Sequence, residues 1–332
     1  MKTLVVDVAA EHGGALTILR QHIDEFKADT SNNYLVLLSR PRFEESDNVK
    51  FINVPWVKKS WLHRLYFDHI YIKKIVSEYS PDEIFSLQNK TVASEGIRQK
   101  VYYHNILPLA EKRFSFFEAP KFWIYQNLIG RIFRYSLKKA SLIYVQADWI
   151  KEKMADEWGV DRRIIKVKRP KELFFEDKKR SHQDNGSNIS LFYPASGAIY
   201  KNHLMLLQAL KEIWEDDSLH NKPKLLLTGK LGNLSKDCQL IVNSGKYPIE
   251  FLGRLNQEQM YMRYLESTLV FPSYMETIAL PLIEARSVGI RILAADCLYS
   301  RESLGEYDKA VFFDPFDHKS IKKAIIDNCR LS

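Results

Sequence analysis

The chain has 332 residues, of which 45% are hydrophobic and 27% charged, with a formal net charge of +8. That profile fits a folded protein with room for two domains, and it excludes a low-complexity or disordered chain. Cys238, Cys297 and Cys329 are scattered and lack metal-ligand spacing, which excludes a disulfide framework and leaves no metal to expect.

The positive charge is unevenly placed. Residues 1–50 hold 6 Lys and Arg against 8 Asp and Glu, residues 51–180 hold 26 against 15, and residues 181–332 hold 17 against 18. A basic middle third attracts phosphates, nucleic acid or anionic lipid. No helix-turn-helix, RNP or zinc-finger pattern accompanies it, so nucleic acid is not an expected partner. The opening MKTLVVDVAAEHGG has too short an apolar run for a membrane span and no signal-cleavage pattern, so a cytoplasmic location is expected.

In chain order, residues 3–9 (TLVVDVA) read as a buried strand. EHGG and an apolar-periodic helix from Ala15 to Phe26 follow. Gly13 and Gly14 would let a phosphate approach the backbone at the helix start, although the full G-x-G-x-x-G is absent. Strands are predicted at 33–40 and 49–55, a helix at 60–79, and strand-plus-loop segments at 82–89 and 100–109. Strands alternating with helices imply a mostly parallel sheet. His104 falls just past the last of these strands, where ligands of open α/β sheets bind.

Residues 111–140 interleave Phe, Trp, Tyr and Ile with Lys and Arg, and Glu111 and Glu118 are the only acids there. One reading is an amphipathic surface helix that touches anionic membrane. The other is a core helix whose basic residues snorkel outward. A strand and a helix capped near Asp148 fill 141–160, and a last strand spans 164–170. The polar stretch 173–188 reads as a linker between domains at 1–172 and 189–332.

The second domain opens with a strand ending at Pro194, a loop, and a helix beginning near Asn202, with Lys201 just before it. A cation there can join the helix N-terminus in holding a diphosphate. Strands follow at 222–230 and 249–254, the second ending in FLGR with Arg254. Then come strand-like Leu269 to Phe271, a Pro-Ser turn, and a helix predicted from about Thr277 to Gly289. Glu276 and Glu284 would stand about two turns apart on it, with an anion site at its first turn.

The order FPSYMETIALPLIEARSVG, strand RILAAD, Arg301-Glu302 resembles the donor-binding segment of the retaining family 4 glycosyltransferases. The resemblance extends over nearly the whole chain. It implies the GT-B fold: two Rossmann-like α/β domains with parallel sheets facing an interdomain cleft. It implies that Glu284 binds ribose hydroxyls and Glu276 those of the donor sugar. Lys201 and the amides of Thr277, Ile278 and Ala279 would hold the diphosphate. Gly13 and Gly14 would face the donor phosphates, His104 would lie beside the transferring sugar, and Gly253 to Leu255 would meet the nucleobase. The chain departs from the family pattern twice. Ala195 stands where an arginine is usual, with Arg254 as a conceivable substitute, and Ala279 stands where E-x-F-G has glycine.

The implied function is metal-independent, cofactor-free, retaining transfer from a nucleoside-diphosphate sugar to a lipid-linked or saccharide acceptor. Capsule or other surface-polysaccharide biosynthesis, at the inner face of the cell membrane, is the implied setting. A nucleotide-sugar epimerase, a phosphorylase and a catalytically silent or glycan-binding partner remain as alternatives, because a fold does not fix a function.

Overall fold

A computed structural model of the chain describes residues 1–11, 13–169, 189–219 and 221–331. The chain divides into two compact units, residues 1–171 and 172–332. The expected linker at 173–188 lies outside the described residues.

The first unit runs β1 (Lys2–Asp7), α1 (Gly13–Ala28), β2 (Asn33–Leu38), β3 (Val49–Asn53), α2 (Trp61–Tyr66) and α3 (Ile72–Tyr79). It continues with β4 (Glu83–Ser86), β5 (Arg98–Tyr103), α4 (Pro120–Ile124), α5 (Gly130–Leu137), β6 (Leu142–Val145), α6 (Asp148–Trp158) and β7 (Ile165–Val167). Single π turns, Phe67–Tyr71 and Tyr125–Ile129, join α2 to α3 and α4 to α5. The seven strands lie in the order β3-β2-β1-β4-β5-β6-β7.

Alternation along β1 shows why both faces must be covered. Leu4 and Val6 pack on one side with Val57, Phe67, Ile72 and Ile75. Val5 packs on the other with Leu19, Ile23 and Phe26 of α1. Successive side chains of a strand point to opposite faces, so a strand apolar throughout needs a helical layer on each.

The second unit runs β8 (Ser190–Tyr193), α7 (His203–Trp214), β9 (Lys224–Leu227), α8 (Lys236–Asn243), β10 (Ile249–Phe251) and α9 (Gln257–Leu265). It ends with β11 (Thr268–Phe271), α10 (Leu280–Val288), β12 (Ile292–Ala295), α11 (Leu298–Leu304), β13 (Ala310–Phe313) and α12 (His318–Leu331). Its sheet order is β10-β9-β8-β11-β12-β13. Every strand pair in both sheets is parallel. Strand order reverses between β1 and β4 in one unit and between β8 and β11 in the other. At such switch points the loops beyond the carboxyl ends diverge and leave room for a ligand. The fold class is the expected one, two Rossmann-like α/β units.

Four expected boundaries move. The first helix takes in Gly13 and Gly14 as its opening residues. The amphipathic helix expected over 111–140 starts only at Pro120, and residues 111–119 are turn and loop. The donor-segment helix begins at Leu280, with Ala279 as its N-cap and a proline in its first turn. Proline favours that place because its missing N–H has no partner there anyway. Asp148 is the first residue of α6, and its predecessor Ala147 is the cap.

Asp7 closes β1, and its Oδ1 accepts from the N–H groups of Ala9 at 3.2 Å and Ala10 at 3.1 Å. Burial pushes this carboxyl up to about 7, against those two bonds and the nearby charges of Lys58 and Arg64. The folded state therefore keeps a proton that the unfolded chain releases above 3.8. The resulting stabilisation is complete below the unfolded value and is lost as pH rises through about 7. Asp7→Asn should remove this loss. Urea unfolding should show the wild type losing roughly 2–3 kcal/mol more than the variant between about pH 5 and about pH 8. Parallel pH profiles would refute the protonated carboxyl.

Candidate active site

The loops at the switch point of the second sheet are held by a chain of tertiary bonds. A 3-10 turn, Ile199–Lys201, follows β8, and then Asn202 adopts a left-handed backbone at φ 62°. Asparagine tolerates that conformation better than most residues. Its side-chain amide donates to the carbonyls of Pro272 at 3.2 Å and Pro315 at 2.7 Å, tying the β8 loop to the ends of β11 and β13. Tyr193 donates its hydroxyl to the Lys201 carbonyl at 2.6 Å, and Tyr274 N–H donates to the Tyr200 carbonyl at 3.1 Å.

This frame brings Lys201 and Glu276 together across the switch point. Lys201 Nζ donates to Glu276 Oε1, with the two side chains 16% and 15% exposed. Ser273 Oγ donates to the same oxygen at 2.7 Å. Tyr299 holds the Ser273 carbonyl from below. Burial and the Lys201 charge push the neighbouring His203 imidazole down to about 4, so it adds no charge at neutral pH.

Glu276 lies in the loop before α10, not on the helix, so the two-turn spacing to Glu284 does not exist. The apolar run 278–283 has helical periodicity, but the bonds between residues 273–274 and Tyr200 keep the chain open until Ala279. The N–H groups of Ile278, Ala279 and Leu280 donate to no other group among the described residues. Proline at 281 has no N–H to offer, so these are the amides at the helix start that stay open to an anion.

Glu284 is in the second turn of α10. Its Oε2 accepts from Tyr264 of α9 at 2.7 Å. Burial raises this carboxyl above the usual range, and the tyrosine bond partly offsets that. Arg254 stands exposed beyond the Gly229–Gly253 bridge. It makes no ion pair among the described residues, so nothing ties it to Ala195. The Ala195 carbonyl instead accepts from Thr228 Oγ1 at 3.3 Å.

In the first unit, Gly13 and Gly14 begin α1 beyond β1, and His104 follows β5. Asn89, after β4, accepts on Oδ1 from the N–H of His104 at 2.7 Å and of Asn105 at 3.0 Å. Burial pushes the His104 imidazole down to about 4, and its buried Nδ1 has no hydrogen-bond partner. A neutral ring with an unpartnered polar atom is suited to hydrogen-bonding a ligand, not to carrying charge.

Sequence reasoning passed over Ser273, Tyr264, Asn89 and Asn202. A Pro-Ser turn was visible, but nothing local says that its hydroxyl meets a glutamate three residues on. Gly197 was also missed. A Cβ there would lie 2.0 Å from the carbonyl oxygen of Asn233.

Residues 174–329, essentially the second unit, match the family described as Glycosyl transferases group 1. No curated protein sequence matches the chain. Solved structures resemble it along its length. Sucrose-phosphate synthase from Thermosynechococcus elongatus superposes with TM-score 0.68 at 14% identity, covering 98% of this chain and 89% of that one. WaaG, a glycosyltransferase involved in lipopolysaccharide biosynthesis, gives 0.67 at 12%, covering 100% and 92%. Anabaena Alr3699/HepE in complex with UDP-glucose gives 0.63 at 15%, covering 99% and 90%. At such identities the likeness is one of fold. With the family match, it supports a GT-B glycosyltransferase.

Proposed function

We propose that the chain is a retaining glycosyltransferase that uses a nucleoside-diphosphate sugar and needs no metal. The observation that carries this reading is the Lys201–Glu276 pair at the switch point, beside the unpartnered amides of residues 278–280. Lys201 and those amides, with that of Thr277, stabilise the negative charge that grows on the departing diphosphate. Glu276 takes hydroxyls of the donor sugar, and Glu284, aimed by Tyr264, takes those of the ribose. In the retaining reaction the sugar–phosphate bond breaks, and the leaving phosphate oxygen accepts the acceptor's proton as the new glycosidic bond forms on the same face. His104, being neutral, orients the sugar. Gly13 and Gly14 lie along the donor phosphates, and Arg254 and Gly253 border the nucleobase.

The first unit takes the acceptor, a lipid-linked or growing saccharide of surface-polysaccharide assembly, through a peripheral contact with anionic membrane. No helix among the described residues is long and apolar enough to cross a membrane. A panel of nucleotide sugars tests the reading. One of them should be slowly hydrolysed alone and consumed faster with acceptor, releasing free nucleoside diphosphate. Absence of nucleotide binding by calorimetry would instead mark a catalytically silent partner.

Glu284→Ala should weaken binding of the free nucleoside diphosphate by about 10- to 100-fold, the worth of hydrogen bonds to a charged acceptor. Unchanged affinity in calorimetry would remove Glu284 from the site.

A further inference from the structure

A groove of about 1520 Å³ opens in the first unit, where Ala9 follows β1 and Gln88 and Asn89 follow β4. The helical segments 61–79 and 120–137 contribute its two sides.

Its floor is cationic. Arg64 Nε at 2.9 Å and Lys90 Nζ at 2.7 Å both bond to Oδ2 of Asp68, so two cations share one carboxylate. Arg64 also donates to Gln88 Oε1 at 2.6 Å. Lys58 adds a further cation, and Lys73, Arg131 and Lys139 line the groove farther out, against Asp68 and Glu95 alone of the acids.

Its sides are apolar and uncovered. From α2, Trp61 is 75% and Leu65 52% exposed; from α5, Ile132 is 56% and Tyr135 68% exposed. All four line the groove. Large apolar side chains gathered on a basic surface mark a binding site, since single ones are common but clusters are not.

We infer that this groove binds a lipid phosphate of the membrane. The phosphate sits against Lys58, Arg64 and Lys90, and the first part of the chain lies between Trp61 and Leu65 on one side and Ile132 and Tyr135 on the other. Charge complementarity sets the head, because a phosphate supplies the counter-charge that Asp68 alone does not. Apolar area sets the tail, because each buried CH₂ of a chain adds about 0.8 kcal/mol. A soluble phosphate would leave the apolar sides in water, and an uncharged chain would leave the cations unmatched. A single strand of nucleic acid would stack on Trp61 and Tyr135 but would leave Leu65 and Ile132 without an apolar partner. The acceptor role of this lipid rests on the proposed transferase reading, whereas its binding does not.

The test titrates the full chain by calorimetry with farnesyl phosphate, farnesol and inorganic phosphate. Farnesyl phosphate should bind at least about tenfold more tightly than either of the others. Lys58→Ala with Lys90→Ala should bring it down toward farnesol, and Leu65→Ser with Ile132→Ser toward phosphate. Lys58→Ala alone keeps the Asp68 cluster intact and should still weaken farnesyl phosphate measurably, which guards against simple misfolding. Equal binding of inorganic phosphate, displacement by oligouridylate, or wild-type affinity in both double variants would each overturn the groove. All variants should bind nucleoside diphosphate as the wild type does. Farnesyl phosphate binding without any nucleotide binding would overturn the transferase reading and leave the groove standing.

Discussion

Lys201→Ala should cut turnover at saturating donor by about two to three orders of magnitude, the usual consequence of losing a preorganised charge at a leaving group. The backbone at Lys201 does not depend on its side chain. Tyr193 holds its carbonyl, and the Asn202 side chain anchors the next residue to Pro272 and Pro315. The loop should therefore keep its course in the variant. The electrostatics change twice. The cation that would face the diphosphate is gone, and among the described residues Ser273 alone is still bonded to the Glu276 carboxyl. An uncompensated carboxylate then stands where phosphate charge develops. Single-turnover release of nucleoside diphosphate measures the loss, and a thermal melt checks the fold. Lys201→Arg should restore part of the rate, because charge returns with a different shape. A wild-type rate in the alanine variant would mean that Lys201 only neutralises Glu276.

The sequence puts Glu276 at the start of a helix, whereas the structure puts it in the loop before α10. The order strand, turn, helix, strand around 269–295 is local information. Apolar runs and a closing glycine at 289 show it, and β11, α10 and β12 are there. The start of α10 is not local. It is delayed to Leu280 because the preceding loop is bonded to Tyr200, some seventy residues earlier. Periodicity over 278–283 cannot register a partner at that distance.

The same limit applies to residues 111–140. Their amphipathic pattern was legible, and so was the aromatic and basic character of 60–79. Which apolar side chains stay uncovered was not. Phe133 and Leu137 go into the core while Ile132 and Tyr135 remain outside. Only the packed unit shows that the two segments line one groove. His104 was legible by position, at the end of a strand. Its lowered basicity comes from burial and is invisible in the chain.

Gly197→Ala should disrupt the second unit's site through its backbone, with no charge changed. Gly197 lies in the β8 loop, four residues before Lys201. A methyl group at its Cβ position would stand 2.0 Å from Asn233 oxygen and 2.6 Å from Asn233 carbon. These are backbone atoms, so no rotamer change relieves the clash. Asn233 itself is held by its N–H to Lys230 at 3.0 Å, and the next residue, Leu234, is buried. One loop must move, and overpacking of this kind costs about 1–3 kcal/mol or more. Displacing the β8 loop carries Lys201 away from Glu276, so nucleotide affinity should fall by more than about tenfold along with the melting temperature. Gly232→Ala is the control, because a Cβ there meets nothing within 4 Å. It sits in the same turn as Asn233 and should change neither reading. If the two variants behave alike, the close approach of these loops is absent in solution.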